Sequence, residues 1–559
     1  MEILSFKIVN WSGLKFLLVI LLGFCFIQGY TEDTRNKAKG KKSISQVLKW
    51  DQFSPYVQKF NKNDDELYKQ YYPNIQADKF LKDNIPFFEC PDKQLEETYY
   101  FRWWTYRKHI QRNQEGFVIT EFLPKVGWSG KYNTICCAAA HHIREGRWLH
   151  DHTILTDYET FWLFKGGSLR IYSFPIADAV YQFNLVNPDK ALLSLLYPKL
   201  KENFKAWERE RKDSTDMFWQ DDGKDGMEVS ISGALAPNGS GYRATINSNM
   251  YADAMALSKI ANMLGITSDI EWYKKKADEL KSVINSRLWN EKDRFYEVIP
   301  KVKDAKFSGT RELHGFTPWY FNIPPAEYSD AWKQIMDTCG FYAPYGPTTA
   351  ERRSPQFAVS YKGHECQWNG PGWPFATSIT LTALANLLNN YDQTYVSGSD
   401  YFKLLKNYSL SHQLKKEDGA IVPWIDENLN PFTGDWLART RLKTWENGTW
   451  DKGKGGIERG KDYNHSTFCD LIISGLIGIR VQEDNSLIVN PLIPVNIWDY
   501  FCLDQLFYKN HLITVLYDKN GEKYHKGKGF MVFVDGKLAE SASNLCKIKI
   551  SLIPNNGLK

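Results

Sequence analysis

The chain has 559 residues, 43% hydrophobic and 24% charged, with 70 Lys+Arg against 65 Asp+Glu and a formal net charge of +5. That composition excludes a disordered, collagen-like or polytopic membrane protein. The basic residues form no concentrated stripe, which argues against a nucleic-acid partner. Aromatic residues are in excess, with 20 Trp, 31 Tyr and 32 Phe making 15% of the chain. Many sit beside Gly, Pro, Asn, Asp and Glu instead of inside apolar runs, the mixture that stacks on sugar rings and binds their hydroxyls.

At the N-terminus, Lys7 and Lys15 flank and precede a short apolar stretch, Phe16 to Ile27, that ends at Gln28-Gly29. It is too short for a comfortable membrane span and fits the core of a secretory signal. The expectation is therefore a cleaved signal over 1–29, a secreted or periplasmic mature chain without a membrane span, and possible surface tethering. Residues 30–95 read as a leader and an irregular segment wrapping the body. Beyond the signal, eight cysteines occur with no CxxC pair, so zinc-ribbon and thioredoxin readings fail and buried thiols with at most one or two bridges are expected.

From 96 to 490 helical segments alternate with aromatic, Gly- and Pro-containing connections. Asn187-Pro188 reads as an N-cap and first helical residue, with Pro198 either ending or kinking the helix that follows. Met250, Ala254, Leu257, Ala261 and Leu264 line one helical face, Gly265 stops it, and Ser268 with Glu271 reads as a capping box opening the next helix. Residues 373–391, 398–414 and 464–480 give further apolar helices. Serial helix hairpins over nearly 400 residues suggest a mainly α fold, an α/α toroid or a helical solenoid, and the lack of a fixed-period repeat lowers the solenoid reading. After 491 the pattern turns to short β-branched runs with hairpin signals at Asn520-Gly521 and Asp535-Gly536, a small C-terminal antiparallel β domain over 491–559.

Four polar-aromatic clusters could carry chemistry: 121–152, 219–233, 361–374 and 424–436. The second supplies Asp221, Asp222, Asp225 and Glu228, and the fourth Asp426, Glu427 and Asp435. Two carboxylates from separate elements, flanked by tryptophans, suit glycoside hydrolysis, in which one group protonates the leaving oxygen and the other activates water or attacks carbon. The first cluster holds His141, His142, Glu145, His150, Asp151 and His152, but HH-x-x-E lacks the one-face spacing of a helical metal pair, so no metal and no cofactor are expected.

The segment WNGPGWP, Trp368 to Pro374, resembles a signature of α/α-toroid glycosidases, notably family 63 glucosidases and mannosylglycerate hydrolases. DGMEVS at 225–230, ENLNPFTG at 427–434 and YNHSTFCDLIISGLIGI at 463–479 resemble further segments of that family, in the same order. The resemblance implies Glu228 as general acid and Glu427 as general base of an inverting, exo-acting hydrolase of α-linked sugars in oligo- or polysaccharides. Asp225 stays open as the acid, because the family places Asp where this chain has Glu228. Asn369, where relatives carry Arg, is a second departure. Trp128, His142, Trp219, Arg243, Gln367, Trp368, Asn369, Trp373, Trp424 and His465 are the candidate sugar-binding residues. The alternatives are a polysaccharide lyase or sugar epimerase, with His364, Tyr361 and Lys362 as its polar groups, and a non-catalytic carbohydrate binder.

Overall fold

The computed structural model describes residues 46–444 and 454–552, so the expected signal lies outside the described residues. The stretch 46–95, expected to be irregular, instead carries helices α1 (Ser54–Lys62) and α2 (Asn74–Asn84) and strand β1 (Phe87–Glu89). The polar composition hid short apolar stripes there. Val57 and Phe60 on α1, and Ala77, Phe80 and Leu81 on α2, are spaced three or four apart and are buried. Helix α3 (Lys93–His109) follows, capped by the Asp92 carboxylate accepting from the Leu95 amide at 3.3 Å. A hairpin of β2 (Ile110–Asn113) and β3 (Gly116–Ile119) comes next.

The body is built from α4 (Ala139–Gly146), α5 (Thr153–Phe164), α6 (Ile176–Val186), α7 (Lys190–Arg211), α8 (Ala244–Leu264), α9 (Thr267–Val283), α10 (Thr317–Tyr320), α11 (Pro374–Asn390), α12 (Gly398–Ser411), α13 (Leu437–Thr444) and α14 (Phe468–Asp470). The last continues as π-helical turns over Leu471–Leu476. Helices α4, α6, α8, α10 and α11 touch in that order, α11 meets the π-helical turns that continue α14, and α14 returns to α4. They form the inner ring of an (α/α)6 toroid, with α3, α5, α7, α9 and α12 outside it. The inner helices are apolar nearly all round because both faces are covered. On α11, Ala376, Thr377, Ser378, Thr380, Leu381, Ala383 and Leu384 are all buried, and the small side chains let neighbouring backbones approach closely.

Helix ends show where local signals hold and where they yield. Gly265 closes α8 in the left-handed conformation at φ 78°, as its lack of a Cβ allows. The capping box expected at Ser268 and Glu271 is absent, since α9 begins two residues earlier, with Ile266 at the N-cap, and the Ser268 hydroxyl turns to Asp269. The capping box instead opens α12, between Ser397 and Asp400. Asn187-Pro188 lies before α7, whose cap is Asp189, accepting from the Leu192 amide at 2.9 Å. Pro198 sits inside α7 and does not end it.

The C-terminal region holds β4 (Ile479–Val481), β5 (Ser486–Val489), β6 (Tyr500–Tyr508), β7 (His511–Asp518), β8 (Gly529–Val534), β9 (Lys537–Ala542) and β10 (Ile548–Ser551). One antiparallel sheet has the order β1-β6-β7-β8-β9, and a smaller one β4-β5-β10. The first recruits its edge from the start of the chain, with Phe88 opposite Leu503. Asp535-Gly536 is the two-residue turn between β8 and β9, both residues at positive φ. Asn520-Gly521 makes no tight hairpin. Asp518 instead gathers the amides of Gly521, Lys523 and Tyr524 at 2.8, 2.9 and 2.8 Å and holds a longer connection. Among the described residues no cysteine is paired and no helix is long and apolar enough to cross a membrane.

Asp504, fully buried on β6, accepts the amides of Val47 and Leu48 at 2.7 and 2.9 Å and the Thr514 hydroxyl at 2.6 Å. Asp504→Ala orphans these donors and should cost about 2–3 kcal/mol, read as a lower urea midpoint with an unchanged m-value.

Candidate active site

Loops leading into the inner helices converge on a cavity of about 250 Å³. Glu121, Glu228, Glu365 and Glu427 all line it, with Trp128, Trp368, Trp373, Phe375, Tyr463 and His465 among its walls. The 219–233 loop presents Glu228 from a strained turn. Val229, the next residue, has φ 57°, a conformation a β-branched side chain rarely adopts, costing about 1–3 kcal/mol. Gly226 just before it has φ 75°, and a Cβ there would lie 2.7 Å from the Cys137 sulfur. The turn is tied down by the Met227 amide donating to the Asp222 carbonyl at 2.9 Å and the Ile231 amide donating to Glu312 at 3.0 Å.

Burial, reinforced by the Glu427 charge, raises the Glu228 pKa to about 7. Glu427 stands in a different environment. Its Oε1 accepts from Arg459 Nε at 2.8 Å and lies 2.7 Å from Nη2, while Oε2 accepts from the Cys366 thiol at 3.5 Å. Its amide donates to Asp426 Oδ1 at 2.8 Å. Gly460 permits that arrangement, since a Cβ there would fall 1.8 Å from the same oxygen. Arg459 also reaches Glu365 Oε1 at 3.4 Å, which Lys454 holds at 2.6 Å. Burial alone would push Glu365 up, but Lys454 and Arg459 outweigh it and hold its carboxyl below the usual range. Glu121 takes the hydroxyl of Tyr463, yet burial and the neighbouring carboxylates lift it to about 8. The cavity thus contains two carboxyls that keep a proton near neutrality beside two gripped by cations.

Of the residues read from sequence, Glu228, Glu427, Trp128, Trp368, Trp373 and His465 come together at this cavity. Trp368 and Trp373 stack at 4.5 Å with an interplanar angle of 16°. Trp373 is fixed by its indole donating to the Gln367 carbonyl at 2.8 Å. His465 lies over Tyr463 with ring centroids 3.7 Å apart, and burial holds it well below the ordinary histidine range, so the imidazole is neutral.

The others lie elsewhere. Asp225 is buried away from the cavity, accepting the hydroxyls of Ser173 and Thr245. Arg243, fully buried, sits at the N-cap position of α8 and donates to the Gly239 carbonyl at 3.1 Å. His142 is a packing residue between the Tyr158 hydroxyl and the Asn464 carbonyl, at 3.0 and 2.5 Å. Trp219 lies between the cations of Arg211 and Lys301, 4.3 and 4.8 Å from its ring. Gln367 accepts from Arg441 at 2.8 Å, behind the wall. The Asn369 carbonyl accepts from the Ala358 amide at 2.9 Å. Trp424 faces a separate cavity alongside Trp104.

Sequence reading missed Glu121, Glu365, Arg459 and Tyr463 as cavity residues. Glu121 and Glu365 stood inside two of the polar-aromatic clusters, and Tyr463 began a family-like segment. Arg459 lies in a Gly- and Lys-rich stretch with no motif of its own. Among the described residues no cluster of His, Cys, Asp and Glu could hold a metal ion. Glu145 spends its carboxylate on the amides of Cys469 and Asp470, at 2.8 and 2.7 Å.

A carboxylate-lined, tryptophan-walled cavity thus stands at the mouth of an (α/α)6 toroid. Residues 131–466 match the model of the mannosylglycerate hydrolase MGH1-like glycoside hydrolase domain, and the chain belongs to that family. Residues 479–540 match the C-terminal domain of glycosyl hydrolase family 65. A solved structure titled "Sialidase" is 42% identical, with a TM-score of 0.82, over 91% of this chain and 45% of that one. The chain therefore spans less than half the length of that protein. The GH78 family rhamnosidase of Bacillus sp. GL1 shares the fold at 12% identity and a TM-score of 0.51, over 78% of this chain and 40% of that one. The α-L-rhamnosidase from Dictyoglumus thermophilum does so at 14% and 0.50, over 84% and 50%.

Arg459 is 1% exposed between two carboxylates that are 3% and 2% exposed. Arg459→Met leaves both unpaired by guanidinium and should cost about 3–5 kcal/mol at neutral pH. Glu365, whose folded pKa is depressed, contributes stability above the unfolded glutamate value and loses it as pH falls through the folded one. Urea titrations of both proteins should therefore converge as pH drops below the ordinary glutamate range.

Proposed function

We propose that the protein is an inverting, exo-acting glycoside hydrolase in which Glu228 is the general acid and Glu427 the general base. The observation that carries this reading is the pair of glutamates on one cavity in opposite electrostatic settings. Glu228, raised to about 7, is still protonated in about half of the molecules at neutral pH, and that form can deliver its proton to the glycosidic oxygen as the bond to the anomeric carbon breaks. Glu427, oriented by Arg459 and by its own amide's bond to Asp426, takes a proton from the water that attacks the opposite face. Trp128, Trp368 and Trp373 offer apolar faces to the sugar, and a cavity this small suits one terminal ring.

Charge favours a neutral sugar. Arg459 and Lys454, the cations of the cavity wall, are already bound to Glu427 and Glu365. An anionic glycone such as a sialic acid or a uronate would enter a site that has four glutamates and, among the described residues, no uncommitted guanidinium. The lyase alternative loses support from Tyr361, whose hydroxyl donates to Asp435 at 3.0 Å, away from the cavity. The signal-like residues 1–29 support export, which sequencing of the mature N-terminus would test.

The test is hydrolysis of a panel of neutral α- and β-glycosides and of sialosides, with product anomers followed by NMR. The expected result is release of a neutral monosaccharide with inverted configuration. Glu427→Gln should lower kcat by about 10²–10⁴-fold with little change in binding. Glu228→Gln should do the same for poor leaving groups and far less for activated aryl glycosides. Retention of configuration, release of sialic acid, or full activity in either variant would overturn the assignment.

Because the protonated form of Glu228 does the work, kcat/KM should fall as pH rises through about 7. That basic limb should vanish from the pH profile of Glu228→Gln measured with an activated aryl glycoside.

A further inference from the structure

The catalytic cavity is lined from the N-terminal ends of the inner helices, by residues such as Cys137, Phe375 and His465. A larger cavity, about 460 Å³, is lined from their C-terminal ends, by Arg144 in the last turn of α4 and Arg147 just after it, Asn386 and Asn390 on α11, and Ser474 beyond α14. It therefore lies at the opposite mouth of the toroid. A small third cavity stands between them, sharing Cys137 and Phe375 with the first and Arg144, Asp178 and Tyr320 with the second.

The far cavity has an imbalance of charge. Three guanidiniums, those of Arg144, Arg147 and Arg480, line it together with Lys259 and Lys547. Lys259 is matched by Glu483 at 2.8 Å. Asp470 is shared by two of the guanidiniums, Arg147 at 2.8 Å and Arg144 at 3.3 Å, and Asp178 is the remaining carboxyl of the wall. Among the described residues, five cations thus face three carboxylates. Arg147, 2% exposed, keeps a buried Nε with no hydrogen-bond partner among the described residues. Arg480 makes its bonds to neutral groups, the Asn386 side chain and the Ser474 carbonyl. Burial and the nearby Arg144 charge depress its pKa to about 10, as expected for a cation short of a counter-charge. The tyrosine rings of Tyr181, Tyr251 and Tyr320 complete the wall.

We propose that this cavity is a second binding site, distinct from the catalytic one, that takes the phosphate, sulfate or carboxylate group of a small soluble ligand between Arg144, Arg147 and Arg480. Guanidiniums present planar forks of donors that match such oxyanions and bind them through charge-assisted hydrogen bonds. An anion here supplies the missing negative charge without disturbing the Asp470 pairs.

The proposal is tested by calorimetric titration of inorganic phosphate, sulfate and citrate into the full chain, beside Arg480→Gln, Lys547→Gln and Lys454→Gln. At least one anion should saturate a single site, with affinity falling about tenfold or more in Arg480→Gln and a few-fold in Lys547→Gln. Lys454→Gln, at the catalytic cavity, should bind as the wild type does. Lys547 is exposed, so its variant keeps the test informative if Arg480→Gln fails to fold. Absence of saturable binding by all three anions, equal binding by wild type and Lys547→Gln, or loss of binding in Lys454→Gln would overturn the site.

Discussion

A ring of six helices exists only if the last one returns to the first, and in this chain that closure rests on two buried carboxylates. Glu145, at the end of α4, accepts the amides of Cys469 and Asp470 and so caps α14 from more than 320 residues away. Asp470 answers by accepting from Arg147 Nη2, the Trp148 indole and the Ser474 hydroxyl at 2.8, 2.7 and 2.7 Å. Burial opposes both charges, but the Arg147 and Arg144 guanidiniums outweigh it at Asp470 and hold that group at about 2. The closure is thus electrostatic at its centre and apolar around it, and everything inside the ring inherits its rigidity.

The same device recurs at the mouth. Four glutamates share one small cavity, which bare carboxylates would not tolerate. Arg459 and Lys454 compensate two of them, and the other two rise towards 7 and 8 and hold protons. The division into a gripped carboxylate and a protonated acid follows from which side chains happen to reach Arg459. Backbone strain at Val229 and the Cβ-free approach of Gly460 to Asp426 place Glu228 and Glu427. Strain of this kind is tolerable because the loops leave from helices already locked in the ring.

How much of this was legible in the sequence depended on the range of the interaction involved. Helical periodicity located α8, α11 and α12 within a few residues, and the chain order of hairpins pointed to the toroid. The paired glutamates could be named because they sit in segments resembling a known family. Residues whose role depends on distant partners could not be sorted. Asp225 and Glu228 are three positions apart on one loop, yet one satisfies hydroxyls in the core and the other faces the cavity. Trp424 and Trp368 both stand in polar-aromatic clusters and end at different cavities. Arg459 carried no local signal at all, because its meaning comes from Glu365 and Glu427, which the chain brings back from 94 and 32 residues away.

The edge strand β1 sets an order of events during synthesis. Phe88 pairs with Leu503, so about 415 residues must be made before β1 finds its partner. At roughly 5–20 residues per second that interval is on the order of 20–80 s. The same wait applies to Val47 and Leu48, whose amides are received by Asp504. The helical hairpins can collapse as they emerge, but an unpaired strand, Phe-Phe-Glu, stays on offer to any neighbouring chain until the C-terminal sheet arrives. The nascent protein is therefore most prone to aggregate late, when its helices are already present and one strand of its last sheet is still waiting.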